Sequence, residues 1–451
     1  MQKKQKYWED DLDLFNNFNT YLSDNSSTQN EKHDLYSLSI TNTKHLKYMS
    51  NLSTSSDSSV ETIQQSSRCC TPGKIDVHTH IMPEPGTFYE PWKQTEGEWI
   101  TLDKTEEGAV NMMQYEIGKE PFLFRPVLSN LYDVKERLKD MDRDKVQTQV
   151  LSVPPAMWKY DLKDPNVAAQ WCTAVNQYLA TVAKQNPTRF VALGIVPLQF
   201  PEVAARIVVE AKNMGLVGVQ VGTHVPPSER NPRWDLGEVA LAPFFQECES
   251  HDIPVMVHPW YMCYFGQEKR MTPLANGKQI GGKGAYWSPW LVGMGAEEAN
   301  CMLSLTASGL LHRFPTLKIL MTHGGGGFPA LKGRIEQGIR CRRQWVWPVL
   351  GNHYEALGLT ERTDTLNTYM TRIWVDSITH DPKILDLLIS IHGKDRVAFG
   401  SDYPFPLGDV TGFLGEGTCT DCNEITGKVV ETSEHKDKIF CDNPKDFFNI
   451  K

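Results

Sequence analysis

From Lys74 onward, short apolar runs rich in Val, Ile and Leu alternate with longer stretches in which apolar residues recur every three or four positions. The first pattern is that of buried strands, the second that of helices with one packed face. Strands are predicted at 74–80, 148–153, 190–196, 217–221, 254–258, 317–323, 373–377 and 396–401. Helices are predicted at 167–184, 202–213, 241–251, 297–312 and 382–391. Eight strands alternating with helices predict an α/β fold, a parallel sheet closed into a (β/α)8 TIM barrel. The stretches from about 82 to 130 and from about 261 to 289 are too long for ordinary connections and read as insertions after strands one and five. Long loops at the C-terminal face of a barrel are where ligand contacts are expected.

Residues 1–73 break this pattern. They are rich in Ser, Asn, Asp and Lys, as in Asn51-Leu-Ser-Thr-Ser-Ser-Asp-Ser-Ser59, and their one Gly is Gly73. Such a segment buries too little apolar surface to offset its ordering entropy. A disordered polar extension is expected, with a short helix near 8–18, and the barrel is expected to occupy 74–451. The 451 residues are 40% hydrophobic, ample for one large core. With 46 basic and 55 acidic residues the net charge is −9, and no basic block suggests a nucleic-acid or membrane surface. There is no apolar run of about eighteen residues and no apolar leader core. Ten scattered cysteines suggest free thiols rather than a disulfide framework, so a cytosolic protein is expected. Cys419-Thr-Asp-Cys422 is an isolated pair, whereas a structural zinc site uses two.

Metal-ligating side chains end four of the predicted strands: His78 and His80 strand one, His258 strand five, His323 strand six and Asp402 strand eight. Side chains in a strand alternate with a period of two, so His78 and His80 point the same way. In a barrel all five residues meet at the C-terminal face. Neutral imidazoles with a carboxylate suit zinc, and three or four protein ligands with one open position is the catalytic arrangement. Strand four, Val217-Gly-Val-Gln-Val-Gly222, carries Gln220 where two-metal barrels often place a bridging Lys, so one metal is expected. Gly324–Gly327 lacks the Lys-Ser/Thr of a phosphate-binding loop and is assigned to close backbone approach beneath the metal.

This set of strand-end residues resembles the amidohydrolase superfamily. Longer pieces resemble the aminocarboxymuconate-semialdehyde decarboxylase family within its metal-dependent decarboxylase branch. They are Lys74-Ile-Asp-Val-His-Thr-His80, Gly218-Val-Gln-Val-Gly-Thr-His-Val225, His258-Pro-Trp260, Trp287-Ser-Pro-Trp-Leu-Val-Gly-Met294, His323-Gly-Gly-Gly-Gly-Phe-Pro329 and Gly400-Ser-Asp-Tyr-Pro-Phe-Pro-Leu-Gly408. The resemblance implies zinc-dependent, non-oxidative decarboxylation of 2-amino-3-carboxymuconate 6-semialdehyde to 2-aminomuconate 6-semialdehyde. That reaction belongs to tryptophan catabolism by the kynurenine route and limits spontaneous cyclisation to quinolinate. It further implies that His78, His80, His258 and Asp402 hold one Zn2+, and that His323 is the acid/base beside it. Arg125 would bind a substrate carboxylate, Lys119 would lie at the site, and Trp290 and Phe405 would line the pocket. Arg334 would enter the neighbouring subunit's site, making a homodimer obligatory. The chain departs from the family pattern at Tyr261, in about fourteen extra residues at 272–285, and in its N-terminal extension.

Decarboxylation needs somewhere for the electrons of the breaking bond to go. Protonating the carbon that bears the leaving carboxylate turns a conjugated enamine–aldehyde into such a sink. Zinc lowers the pKa of bound water toward ~7, Asp402 can hold that water, and an imidazole titrates in the range needed to move a proton. Two guanidiniums can grip two carboxylates bidentately. The residues alone leave three other readings open: a zinc hydrolase of the same fold, a decarboxylase of aromatic acids using another divalent metal, and a non-catalytic binding protein.

Overall fold

The computed structural model describes residues 73–229, 231–260, 272–273, 279–280, 288–341, 366–405, 407–409 and 437–450. The chain divides into two units, Met1–Arg68 and Cys69–Lys451. The expected disorder and short helix of the N-terminal extension, Tyr261 and the pair Cys419 and Cys422 lie outside the described residues.

Eight strands form one sheet in sequence order: β1 (Lys74–His80), β2 (Val146–Ser152), β3 (Phe190–Ile195), β4 (Gly218–Gly222), β5 (Val255–His258), β6 (Ile319–Met321), β7 (Ile373–Asp376) and β8 (Val397–Ala398). Neighbours are parallel throughout. A parallel pair needs a crossover, and helices supply it: α1 (Val134–Arg143), α2 (Pro165–Gln185), α3 (Pro201–Asn213), α4 (Ala242–Ser250), α5 (Met294–Ala307), α6 (Phe328–Cys341) and α7 (Pro382–His392), with α8 (Asn443–Phe448) last. The chain beyond β8 returns to β1 through Val77 N to Phe399 O at 2.8 Å, His80 N to Tyr403 O at 2.7 Å and a parallel bridge between Thr79 and Tyr403. The fold is the expected (β/α)8 barrel. Among the described residues no helix is long and apolar enough to cross a membrane.

Helix starts follow simple chemistry. Asp164-Pro165 and Asp381-Pro382 open α2 and α7, each Asp accepting hydrogen bonds from first-turn amides and each Pro filling a position whose N–H has no partner. The helix predicted at 297–312 is two: α5 ends at Ala307, and Gly309, at φ 76°, turns the chain into a separate turn at Leu310–Arg313. Strands six and eight are shorter than predicted, because their ends leave the ladder to shape the site.

The barrel floor is apolar. Ile75, Val77, Val150, Leu193, Met256, Leu320, Trp374 and Ala398 pack together and against Phe447 and Phe448 of α8, which plugs the N-terminal end. The pairing of β1 with β2 slips between Asp76 and Thr79. Through that slip β1 contributes Ile75 and Val77 to the floor and still presents His78 and His80 above it. The period-two argument holds for the two histidines but not for the whole strand.

The insertion after β1 is more regular than expected. It contains a three-stranded antiparallel sheet, Glu98–Lys104, Val110–Glu116 and Phe122–Val127. Its last ladder slips at Met112/Met113, which face Arg125 and Leu123. A bulge of this kind re-aims the side chains beside it, and Arg125 stands at it. Of the second insertion the described residues show one short antiparallel ladder, Thr272–Pro273 with Gln279–Ile280.

One buried side chain ties the barrel seam together. Arg137 of α1 is fully buried, donates to Gln149 Oε1 of β2 at 2.8 Å and to the carbonyl of His80, and lies 4.7 Å over the Tyr403 ring. Burial lowers its pKa to about 10, so it stays charged at neutral pH. Replacing Arg137 with Met leaves two buried acceptors unpaired, at about 1–3 kcal/mol each. A loss of about 3 kcal/mol in denaturant unfolding is expected; an unchanged midpoint would show that the clamp contributes nothing.

Candidate metal centre

The site sits where β1, β5, β6 and β8 end. One ligand atom from each of His78, His258, His323 and Asp402 lies within 4.8 Å of the others. His80 belongs to the same cluster: its Nε2 is 3.2 Å from His78 Nε2 and 3.0 Å from Asp402 Oδ1. The His78 ring centroid stands 5.2, 5.0 and 5.0 Å from those of His80, His258 and His323.

The outer nitrogens fix how these rings are protonated. His78 Nδ1 faces Asp376 Oδ2 at 2.7 Å, His258 Nδ1 faces the Pro259 carbonyl at 2.6 Å, and His323 Nδ1 faces Glu298 Oε1 at 2.9 Å. His80 Nδ1 faces the Val153 carbonyl at 3.3 Å. A ring nitrogen against a carbonyl or carboxylate carries a proton, which in a neutral ring leaves the Nε2 lone pair pointing inward. His258 Nε2 and Asp402 Oδ1 are accordingly buried with no hydrogen-bond partner. Buried nitrogen lone pairs converging with a carboxylate oxygen fit a divalent cation, and the N/O donor set suits zinc or manganese.

Burial, reinforced by the neighbouring imidazoles and only partly opposed by Asp402, holds the His78 and His258 pKa values well below the ordinary imidazole range, so both rings are neutral. Burial also works to raise Asp402, but His78 and the other imidazoles around it outweigh that and hold it well below the usual carboxylate range. His323 differs. Burial again works to lower it, yet the Glu298 and Asp402 carboxylates raise it well above the ordinary range. The environments therefore separate neutral donors from one proton carrier.

Backbone strain marks the same positions. His323 and Asp402 are non-glycine residues in the left-handed region, at φ 48° and 55°. Such conformations cost about 1–3 kcal/mol each and persist where the surroundings enforce them. Gly326, at φ 60°, has no room for a side chain: a Cβ there would stand 2.5 Å from the Gly295 carbonyl oxygen and 2.8 Å from Glu298 Oε2. The glycine run lets α5 and the loop after β6 touch.

Residues 75–450 match the amidohydrolase family. The chain belongs to that family. The 2-amino-3-carboxymuconate-6-semialdehyde decarboxylase of Dictyostelium discoideum is 35% identical over 341 residues, 75% of this chain and 83% of the relative. The enzyme of the same name from Caenorhabditis elegans is 30% identical over 385 residues, 75% of this chain and 86% of the relative. Among solved structures, the IDCase of Metarhizium anisopliae in apo form matches with a TM-score of 0.63 at 20% identity, covering 84% of this chain and 97% of that one. The 5-carboxyvanillate decarboxylase of Novosphingobium aromaticivorans, complexed with manganese and 4-hydroxy-3-methoxy-5-nitrobenzoic acid, matches with a TM-score of 0.55 at 22% identity, over 72% and 82%. This amidohydrolase is a decarboxylase, a carboxy-lyase.

The remaining residues singled out in the sequence fall in different places. Phe405 stacks on His80 with centroids 4.8 Å apart, and the Arg125 guanidinium lies 4.6 Å over Phe405. Arg125 Nε is buried without a hydrogen-bond partner. Trp290 sits half-buried in the wide helical turn Pro289–Gly293 before α5. Lys119 is 66% exposed on a turn of the inserted sheet and pairs with Glu116 at 2.6 Å; no contact among the described residues ties it to the cluster. Arg334 is exposed on α6. Gln220 is fully buried on β4 with neither amide atom hydrogen-bonded.

Two acids beneath the amidohydrolase site were not singled out from the sequence. Asp376 ends β7 after three apolar residues, the same signature that flagged the others. It holds His78 Nδ1 and accepts from Gly324 N at 3.0 Å. Glu298 lies on α5 and carried no signal beyond being an acid on a largely apolar helix. Partners of ligating histidines typically contribute 10–100-fold to metal affinity. Asp376→Ala should weaken the binding of added divalent metal by about that factor, read by competition with a chromophoric chelator. Wild-type affinity would mean that His78 needs no carboxylate to orient it.

Proposed function

We propose that the chain decarboxylates 2-amino-3-carboxymuconate 6-semialdehyde to 2-aminomuconate 6-semialdehyde, using one zinc ion per subunit, in the cytosolic kynurenine route of tryptophan catabolism. What carries the substrate is the shared name of the two curated relatives, each matched over more than four-fifths of its length. His78, His80, His258 and Asp402 would hold the ion. When bound, it supplies a fixed positive charge and Lewis acidity. Gln220 on β4, in place of a bridging lysine, supports a single ion.

The chain's own residues account for the rest. Arg125, held over Phe405 near Asp402, offers its unpartnered Nε–H to a carboxylate of the substrate. Phe405 and Trp290 wall the pocket. His323 delivers a proton from Nε2 to the carbon bearing the leaving carboxylate. The C–C bond then breaks, CO2 leaves, and its electron pair restores the conjugated system. Removing CO2 in this way limits cyclisation to quinolinate. Lys119 would have to leave Glu116 to take part. Arg334, exposed on α6, would complete the site of a second copy in a homodimer.

The manganese of the 5-carboxyvanillate enzyme motivates a second reading, decarboxylation of an aromatic acid with manganese. Freshly generated aminocarboxymuconate semialdehyde should be consumed with CO2 release by protein carrying about one zinc per chain. Turnover confined to hydroxybenzoates, or two ions per chain, would support the alternative. His323→Ala should keep its metal and lose 10²–10⁴-fold in kcat; a metal-free variant would make His323 a ligand instead.

Arg334 and His323 permit a test of the homodimer. Arg334→Ala and His323→Ala should each be nearly inactive alone. Mixed with subunit exchange confirmed, they should regain activity, because a heterodimer holds one site with both residues intact. No recovery would place Arg334 in its own chain's site or outside the reaction.

A further inference from the structure

Glu298 is completely buried and points its two oxygens at different tasks. Oε1 accepts from Thr322 Oγ1 at 2.8 Å and stands 2.9 Å from His323 Nδ1. Oε2 has no hydrogen-bond partner and lies against the backbone at Gly326, where a Cβ would come within 2.8 Å of it. A buried carboxylate normally satisfies both oxygens. Here one is left bare so that the other can meet a single ring nitrogen. Thr322 fixes the carboxylate from one side and the glycine run leaves room on the other.

His323 needs such a partner more than its neighbours do. It follows β6 rather than ending it, sits at φ 48°, and is flanked by Gly324 at φ 61°. No strand ladder holds it. His78, by contrast, lies within a paired strand and His258 ends one. A ring on a strained, glycine-flanked loop is free to flip about χ2 unless a hydrogen bond stops it, and a flip would put the carbon Cε1 where Nε2 now faces Asp402. With Nδ1 held, Nε2 faces Asp402 Oδ2 at 3.8 Å.

We propose that Glu298 is a positioning residue for the reaction: by accepting the Nδ1 proton of His323 it fixes that ring's orientation, so that Nε2 is the nitrogen presented to substrate. The inference rests on the reading of His323 as the acid/base. It predicts a cost in kcat with little change in KM, because Glu298 touches neither substrate nor metal. Acceptor capacity is what matters, so an amide oxygen should replace the carboxylate in large part.

Glu298→Met removes the acceptor at similar length, and Glu298→Gln keeps one. Glu298→Met should lose about 10–100-fold in kcat, within the range acid/base catalysis supplies, with KM within about twofold and zinc content unchanged. Glu298→Gln should lose less than tenfold. Nitrogen-15 spectra of histidine-labelled protein, assigned by difference against His323→Ala, should show His323 protonated at Nδ1 in wild type and in Glu298→Gln but not in Glu298→Met. Full kcat in Glu298→Met, or loss of metal in step with loss of turnover, overturns the proposal. If Glu298→Met does not fold, Glu298→Gln decides. A displaced Nδ1 proton with full turnover, or a retained one with turnover as low as in His323→Ala, would equally overturn it. An active His323→Ala enzyme would sink the underlying acid/base reading, whereas an inactive one beside a fully active Glu298→Met sinks this inference alone.

Discussion

Inward-facing nitrogen lone pairs and one carboxylate, packed into a buried barrel mouth, are the constraint around which the rest of this structure is arranged. Such a cluster is costly by itself: His258 Nε2 and Asp402 Oδ1 are buried and accept no hydrogen bond. Burying polar atoms unsatisfied costs about 1–3 kcal/mol each in proteins. The chain tolerates this because every ring is held from outside. Asp376, the Val153 and Pro259 carbonyls, and Glu298 each occupy an Nδ1. The outer contacts decide the tautomers, and the tautomers create the cation site.

The same logic separates roles among like residues. Three imidazoles at strand ends and one on a strained loop begin as equivalent ligands. Burial makes His78 and His258 neutral, while a neighbouring carboxylate makes His323 the ring that carries a proton. Glu298 and Asp402, on either side of His323, are what raise its pKa.

Much of this was legible in the sequence, for a physical reason. A barrel strand writes its own ending: apolar residues for the floor, then a polar side chain at the mouth. Lys74-Ile-Asp-Val-His-Thr-His80 and Val255-Met-Val-His258 both read this way, and the strand order and helix order followed. Where the reading fell short, the missing information was three-dimensional. The slip in β1 cannot be seen in an alternating string. The strands of the first insertion are short and amphipathic, and their sheet is set by pairing across turns. Asp376 carries the same signature at the end of β7, but a strand-end acid reads alike in sequence whether it faces an ion or holds a histidine. Glu298 carried none, since its function depends on a glycine loop 25 or more residues away closing onto α5.

Strand ends and loops divide the labour in this chain. A solved decarboxylase shares this fold at 22% identity, so the barrel tolerates wide change in sequence. In this chain His78, His80 and His258 come from strands held in the barrel ladder, and His323 and Asp402 stand just beyond β6 and β8. The groups that lie beyond them, Arg125 and Phe405, come from an inserted sheet and from the loop after β8. The bulge opposite Met112 and Met113 sets where Arg125 points, and Phe405 links it by stacking to His80. Moving that bulge by one residue would turn Arg125 to the other face of its strand without touching a metal ligand. Insertion register, and not the barrel ladder, therefore fixes where Arg125 stands relative to the cluster.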